Sequence, residues 1–126
     1  SFRGDCPTED YEQAKVVSWW RHHHPDIIIF HPNNSYYIKT NQSAVAAKAY
    51  AQGQHEGIPD LVICTPKPIF IEMKRRDPTK SKWQKNQIAT IEALMNQWYS
   101  VYVGLGSEAV ISFLQKNIKS FLQDSD

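Results

Sequence analysis

Two charged residues interrupt an apolar segment near the middle of the chain. The segment Ile69–Lys74 reads Ile-Phe-Ile-Glu-Met-Lys, a composition typical of a buried strand. Because side chains alternate along a strand, Glu72 and Lys74 lie on one face together with Phe70. Burying an isolated carboxylate is costly unless a cation or a partner charge compensates for it. The alternative is a strand end that reaches solvent, with Glu72 and Lys74 as an ordinary surface pair.

A second carboxylate favours the cation. Asp60 follows Gly57-Ile58-Pro59 at the start of the preceding strand, and a hairpin-like pairing of the two strands brings it beside Glu72. Two carboxylates held close together repel each other, which raises their pKa values unless a cation lies between them. Hard cations such as Mg²⁺ bind one or two carboxylates together with waters and substrate phosphate. In such a site Lys74 would orient or deprotonate a metal-bound water, or neutralise charge on a phosphate.

Two predicted helices each place a polar residue at the start of their apolar face. In the first helix, Val16 and Trp20 extend back by four-residue steps to Glu12. In a later helix, the apolar stripe from Ile88 to Met95 extends back in the same way to Gln84. Each placement is weak by itself, but both support a polar site beside the carboxylates.

Basic residues gather immediately after the Glu72 strand. Positions 74 to 85 hold six basic residues and a single acid. The basic residues are Lys74, Arg75, Arg76, Lys80, Lys82 and Lys85. A solvated loop explains such a run, and so does a phosphate-binding rim next to the carboxylates. Trp83 and Tyr99 flank the run, where they either stack on bases or belong to the core.

The rest of the chain supplies the elements that would hold these residues. Thr8 is the expected N-cap of the first helix, and no proline after Pro78 interrupts the last part of the chain. The expected helices are Glu9 to about His22, Ser43–Gln52, Ser81–Trp98 and Ser107 to about Leu122, and the expected strands are Ile27–His31, Asp60–Cys64, Ile69–Lys74 and Val101–Gly104. The order α-β-α-β-β-α-β-α predicts an α/β fold, with a central mixed β-sheet flanked by helices.

Composition limits the classes of protein that fit. A length of 126 residues predicts one domain spanning 1–126. The 14 Lys and Arg residues against 13 Asp and Glu give a net charge of +1, so nucleic-acid affinity has to come from locally gathered charge. No apolar run approaches the ~18–20 residues that span a bilayer, and two cysteines are too few for a disulfide scaffold. We therefore expect an intracellular, cytoplasmic protein that does not associate with a membrane.

Five segments together resemble the VRR-NUC domain, a branch of the PD-(D/E)XK nuclease superfamily. They are Glu12-Gln13, His31-Pro32-Asn33, the segment from Gly57 to Val62, Ile71–Lys74 and Ser81–Gln84. The resemblance extends over nearly the whole chain, from about Tyr11 to Phe113. It implies a restriction-endonuclease-like core and a small stand-alone protein of the phage or bacterial cytoplasm.

The resemblance also implies a set of roles for the site residues. Asp60, Glu72 and the Met73 carbonyl would hold Mg²⁺ or Mn²⁺, with Lys74 as the catalytic lysine. Glu12, bound to the metal through water, and Gln84 would complete the site. From charge and position, the expected DNA-binding residues are Arg75, Arg76, Lys80, Lys82, Lys85, His31 and Asn33.

The implied activity is that of a metal-dependent DNA endonuclease acting in repair or recombination. Similar stand-alone proteins favour branched DNA, which predicts cleavage of junction-like or flap-like substrates and products with 5′-phosphate and 3′-hydroxyl ends. Two alternatives are a nucleic-acid-binding module without catalysis and an accessory nuclease domain targeted by a larger partner. The Gly104-Leu105-Gly106 segment lacks the remaining residues of a nucleotide site, so no nucleotide cofactor is expected.

A homodimer is the expected active species, because resolving a junction requires two coordinated incisions. If Trp20 faces the core, its neighbour Trp19 lies about 100° away on the helix, towards the edge of the buried face. Trp19 is therefore the expected interface anchor.

Overall fold

A four-stranded mixed sheet forms the centre of the described part of the chain. The computed structural model describes residues 5–32, 43–84 and 86–123. The strands are β1 Ile29–Phe30, β2 Leu61–Ile63, β3 Ile69–Lys74 and β4 Ser100–Leu105, in the spatial order β1-β2-β3-β4. Strand β3 pairs antiparallel with β2 and parallel with β4, so it is bonded along both of its edges.

Four α-helices pack around this sheet in the described residues. They are α1 Glu9–His23, α2 Ser43–Ala51, α3 Gln87–Asn96 and α4 Ser107–Leu122, with a 3₁₀ turn at Pro78–Lys80. The order of helices and strands is the one predicted from the sequence, and the α/β class is confirmed. Within the described residues, no helix combines the length and the apolar character needed to cross a membrane.

Helix α1 forms where capping and burial both favour it. The Thr8 hydroxyl accepts a hydrogen bond from the Tyr11 amide at 3.2 Å, as expected of an N-cap. Glu12, Val16 and Trp20 are fully buried, which confirms the predicted buried face of this helix. Its apolar residues contact the core between the sheet and α4, built from residues that include Leu61, Ile63, Ile71 and Leu114.

The register of β2 and β3 places the two carboxylates opposite each other. Leu61 pairs with Ile71, so one further step along the ladder sets Asp60 against Glu72 on the same face. On the other side of β3, Glu72 pairs with Val103. The predicted hairpin-like pairing is therefore confirmed.

The helix predicted for Ser81–Trp98 is shorter, and its start was predicted wrongly. Helix α3 begins at Gln87, because Asn86 adopts a left-handed conformation (φ 67°) and residues 81–84 are irregular. Of the predicted apolar stripe Ile88, Ile91 and Met95, Ile91 is buried, whereas Ile88 and Met95 are both more than half exposed. The buried face instead carries Gln87, Thr90 and Ile91, because it packs over a polar site. The strand predicted for Ile27–His31 is reduced to Ile29–Phe30.

Candidate active site

Asp60 and Glu72 form a pair of carboxylates buried at the junction of β2 and β3. Glu72 is 1% exposed, and Asp60 is partly exposed. Asp60 Oδ2 accepts a hydrogen bond from the Met73 amide at 2.8 Å, which ties this carboxylate to the backbone of the neighbouring strand. The two functional carboxylates are thus fixed by the same strand pairing that builds the sheet.

Burial and mutual repulsion raise the pKa values of both carboxyl groups. Burial, followed by the charge of Asp60, raises the pKa of Glu72 from 4.5 to about 9, while the Lys74 ammonium opposes the shift. Burial likewise raises the pKa of Asp60, against the opposing hydrogen bond from Met73. Without a cation, the pair is therefore most stable when one carboxyl keeps its proton.

Lys74 is almost completely enclosed, with its side chain 3% exposed. Its Nζ donates hydrogen bonds to the Lys82 carbonyl at 2.8 Å and to Gln87 Oε1 at 3.2 Å. It also lies 3.5 Å from Glu72 Oε2. The ammonium group is thus directed into the site, one side-chain position further along the same face of β3 as Glu72.

Gln87 connects the lysine to the carboxylate. Its Oε1 accepts from Lys74, and its Nε2 donates to Glu72 Oε2 at 3.0 Å. The sequence predicted this role for Gln84, but that residue precedes the helix and its side chain is exposed. Because α3 starts at Gln87, the side-chain amide that reaches the site belongs to Gln87, three residues after the predicted Gln84. The left-handed tendency of Asn86 was the available signal for that later start.

The first turn of α1 contributes Glu9 rather than Glu12. The Glu9 carboxylate accepts a hydrogen bond from Ser81 Oγ at 3.2 Å. Its pKa is raised by burial, lowered by the charge of Lys74 and raised by that of Asp60, so it belongs to the same electrostatic cluster. Sequence reasoning missed this residue, although Glu9 shares a helix face with Glu12 at a spacing of three.

Glu12 is held in a separate buried network. Its two oxygens accept from Arg76 Nε at 2.7 Å and Arg76 Nη2 at 3.0 Å. The amide and hydroxyl of Ser107 also donate to it, at 3.2 and 3.1 Å. These donors engage both oxygens of Glu12, and its contact with a metal through water stays a prediction. The network instead joins α1, the segment after β3 and the start of α4.

Comparison with solved structures gives a match over nearly the whole chain. No protein-family model matches the chain, and no curated protein does. A solved structure described as a VRR_NUC domain protein matches with a TM-score of 0.71 and 28% sequence identity, over 97% of this chain and 95% of that chain. This match supports a VRR-NUC domain in this chain. A VRR-NUC domain is a nuclease-type domain, and the mixed sheet with its flanking helices fits the α/β core of the PD-(D/E)XK superfamily.

The basic residues of the VRR-NUC domain fall into two groups. Arg75 donates to the carbonyls of Cys6 and Pro7, and Arg76 is engaged by Glu12, so these guanidinium groups have structural partners. Their predicted contact with DNA stays a prediction. Lys80 and Lys82 are exposed. They line an open cavity of about 340 Å³ together with Thr8, Glu9, Asp10, Arg75 and Gln84.

Three further residues were predicted to contact DNA. His31 is exposed, and its Nδ1 lies 2.5 Å from the Asp60 carbonyl oxygen, which requires the proton on Nδ1. The ring therefore supports the backbone of a site carboxylate. Asn33 and Lys85 lie outside the described residues.

The donor groups of the VRR-NUC domain fit a hard divalent cation. Within the described residues, Glu72 Oε1 is buried without a hydrogen-bond partner, beside a second carboxylate that repels it. No group of three or more His, Cys, Asp and Glu side chains among those residues forms a metal cluster. Two carboxylates with remaining positions for water and phosphate match the usual coordination of Mg²⁺.

Proposed function

We propose that this protein is a metal-dependent DNA endonuclease. The observation that carries the proposal is the buried Asp60–Glu72 pair, with Lys74 held beside it by Gln87. A protein that only binds nucleic acid gains nothing from buried carboxylates next to a phosphate-binding surface, because they repel the backbone.

We assign the cation to Asp60 and Glu72, with the Met73 carbonyl as a further oxygen and Glu9 in contact through water. Bound there, Mg²⁺ or Mn²⁺ would supply Lewis-acid activation of the scissile phosphate and of the attacking water. Protonated Lys74 would then neutralise charge that develops on the phosphoryl oxygens, or orient the water. Gln87 would keep Lys74 and Glu72 in their relative positions throughout.

Cleavage of defined DNA substrates tests this function. Asp60→Asn, Glu72→Gln and Lys74→Ala should each abolish cleavage with Mg²⁺ or Mn²⁺, and the two carboxylate variants should bind DNA as tightly as the wild type or more tightly. Glu92→Gln, which alters an exposed carboxylate on α3, is the matched control. Turnover within about tenfold of wild type in any of the three site variants, a loss of about 1.4 kcal/mol or less, would refute the site assignment. Binding without cleavage by the wild type would favour a silent binding module.

The exposed lysines beside the site are the proposed phosphate contacts. Lys80→Ala with Lys82→Ala should weaken binding to all DNA sequences alike and flatten its dependence on salt. The matched control is Lys116→Ala with Lys119→Ala, which removes two exposed lysines from α4. An equal effect in both double variants would mean that only overall charge matters.

Branched DNA is the proposed substrate, cut by a homodimer in repair or recombination. The predicted anchor Trp19 is only partly exposed and stacks on His23 at 4.8 Å, whereas Trp98 is 95% exposed. We therefore move the proposed interface towards α3 and Trp98. Sedimentation should give about twice the 14.6 kDa chain mass, with paired cuts on opposing strands of a junction. A monomer that nicks only flaps would refute the dimer and leave the chemistry intact.

A further inference from the structure

The indole ring of Trp83 covers the ammonium group of Lys74. Lys74 Nζ lies 4.3 Å from the ring centroid, inside the range of about 6 Å for a cation–π contact. Lys74 is 3% exposed and Trp83 is 47% exposed, so the ring is the wall between the ammonium group and solvent. The sequence allowed Trp83 to be a base-stacking or a core residue, and its half-exposed position is not that of a core residue.

Hydrogen bonds hold the backbone segment of Trp83 in place both before and after this residue. Ser81 Oγ accepts from the Arg75 amide at 2.6 Å and donates to Glu9. The Gln84 amide donates to Gln87 Oε1 at 2.7 Å. The irregular backbone of residues 81–84 is therefore held against β3 and α3, and Trp83 keeps its place over the lysine.

We propose that Trp83 is a positioning residue for Lys74, an inference that rests on the proposed nuclease function. A lysine side chain has four rotatable carbons and ends in a compact, strongly hydrated charge. Lys74 Nζ donates hydrogen bonds to the Lys82 carbonyl and to Gln87 Oε1, and it forms an ion pair with Glu72 Oε2 at 3.5 Å. The ring closes the solvent side, which keeps water from competing for the ammonium group and restricts its rotamers to those that face Glu72.

Two substitutions distinguish the effect of the aromatic ring's electrostatic face on Lys74 from the effect of its volume. Trp83→Phe keeps an aromatic face, and Trp83→Leu keeps apolar volume without one. We expect Trp83→Leu to lower kcat by about tenfold with KM changed less than about twofold, and Trp83→Phe to retain kcat within about threefold. Thermal unfolding of both variants controls for loss of the fold.

Fluorine NMR tests the contact without requiring activity. The protein is labelled with 5-fluorotryptophan, and the Trp83 resonance is assigned from its loss in Trp83→Phe. Lys74→Met should shift this resonance, because it removes the charge over the ring. Lys67→Met, which removes an exposed lysine in the turn between β2 and β3, should leave it unchanged.

The outcomes distinguish this inference from the function on which it rests. An unshifted Trp83 resonance in Lys74→Met, or unchanged kcat in Trp83→Leu, would overturn the positioning role. A raised KM with unchanged kcat would also overturn it and would make Trp83 a DNA contact. If the wild type cleaves no DNA, the proposed function fails, and the fluorine shift alone then decides whether Trp83 positions Lys74. The same shift decides the matter if Trp83→Leu does not fold.

Discussion

Replacing Glu72 with glutamine should stabilise the metal-free protein, by an amount that grows with pH. The Glu72 carboxyl is buried beside Asp60, and its pKa is raised from 4.5 to about 9. In the unfolded chain the same group ionises near its ordinary value. A glutamine keeps the size of the side chain and can still accept from Gln87 Nε2 while it donates towards Asp60. The substitution therefore removes a buried charge without leaving a cavity.

The magnitude follows from the two pKa values of Glu72. Because the folded pKa is the higher one, the folded state keeps a proton that the unfolded chain loses. The stability contributed by Glu72 is therefore complete below pH 4.5 and is lost progressively up to about pH 9. Each pH unit in that window costs about 1.4 kcal/mol. By pH 7 the wild type should have lost about 3 kcal/mol that the variant keeps.

Urea unfolding in EDTA at pH 4.5, 7 and 8.5 measures this difference directly. The two proteins should be nearly equally stable at pH 4.5, and the variant should be the more stable at pH 7 and above. Glu92→Gln is the control, because it removes an exposed carboxylate. Adding Mg²⁺ should stabilise the wild type more than the variant, since a ligand stabilises the state that binds it. A variant less stable than wild type at pH 8.5 would refute the buried-charge reasoning.

Five further substitutions test other parts of the structure. Glu12→Gln should lower the free energy of unfolding in urea by about 3 kcal/mol, because the Arg76 charge loses its buried carboxylate. Glu9→Gln should change the free energy of unfolding by less than about 1 kcal/mol and still impair cleavage. The reverse pattern would favour Glu12 as the metal contact. Gly57→Ala should lower the free energy of unfolding by more than about 2 kcal/mol, because Gly57 has φ +80° and an added Cβ would collide with the backbone just before α3. Gly53→Ala is the matched control: Gly53 has φ +100° but open space around it, so the loss should be only about 1 kcal/mol. Trp98→Gly should weaken self-association in sedimentation, because it removes the exposed indole of the proposed interface, while glycine adopts the φ of 70° without strain. Unchanged self-association would place the interface elsewhere.

The local sequence pattern was sufficient to predict the strand that carries the candidate site residues Glu72 and Lys74. The apolar run of β3 has the bounds expected from the sequence, Ile69–Lys74, because burial on both faces leaves a continuous hydrophobic signature. The short turn before it restricts how β2 can pair, so the meeting of Asp60 and Glu72 was also predictable. These features depend on residues close together in the chain.

The residues predicted less well depend on partners far away in the chain. Glu12 was predicted as a site residue from helical spacing, which could not show that its buried carboxylate pairs with Arg76, 64 positions later. Gln87 was not predicted, because helical periodicity was applied to apolar residues alone. The buried face of α3 packs over a polar site and is therefore partly polar. Charge counting found the basic run, yet it could not show that Arg75 is occupied by backbone carbonyls near the N-terminus.

Strand β3 and residues 81–84 both enclose the Lys74 side chain, but their backbones are held in different ways. Strand β3 is hydrogen-bonded to neighbours on both sides, so its amides should exchange with solvent only when the sheet itself opens. Residues 81–84 belong to no helix or strand and are held mainly by side-chain contacts. Their amides should exchange through local opening at a much lower free energy. In the proposed nuclease, an arriving DNA strand can therefore rearrange residues 81–84 while β3 keeps the carboxylates in register.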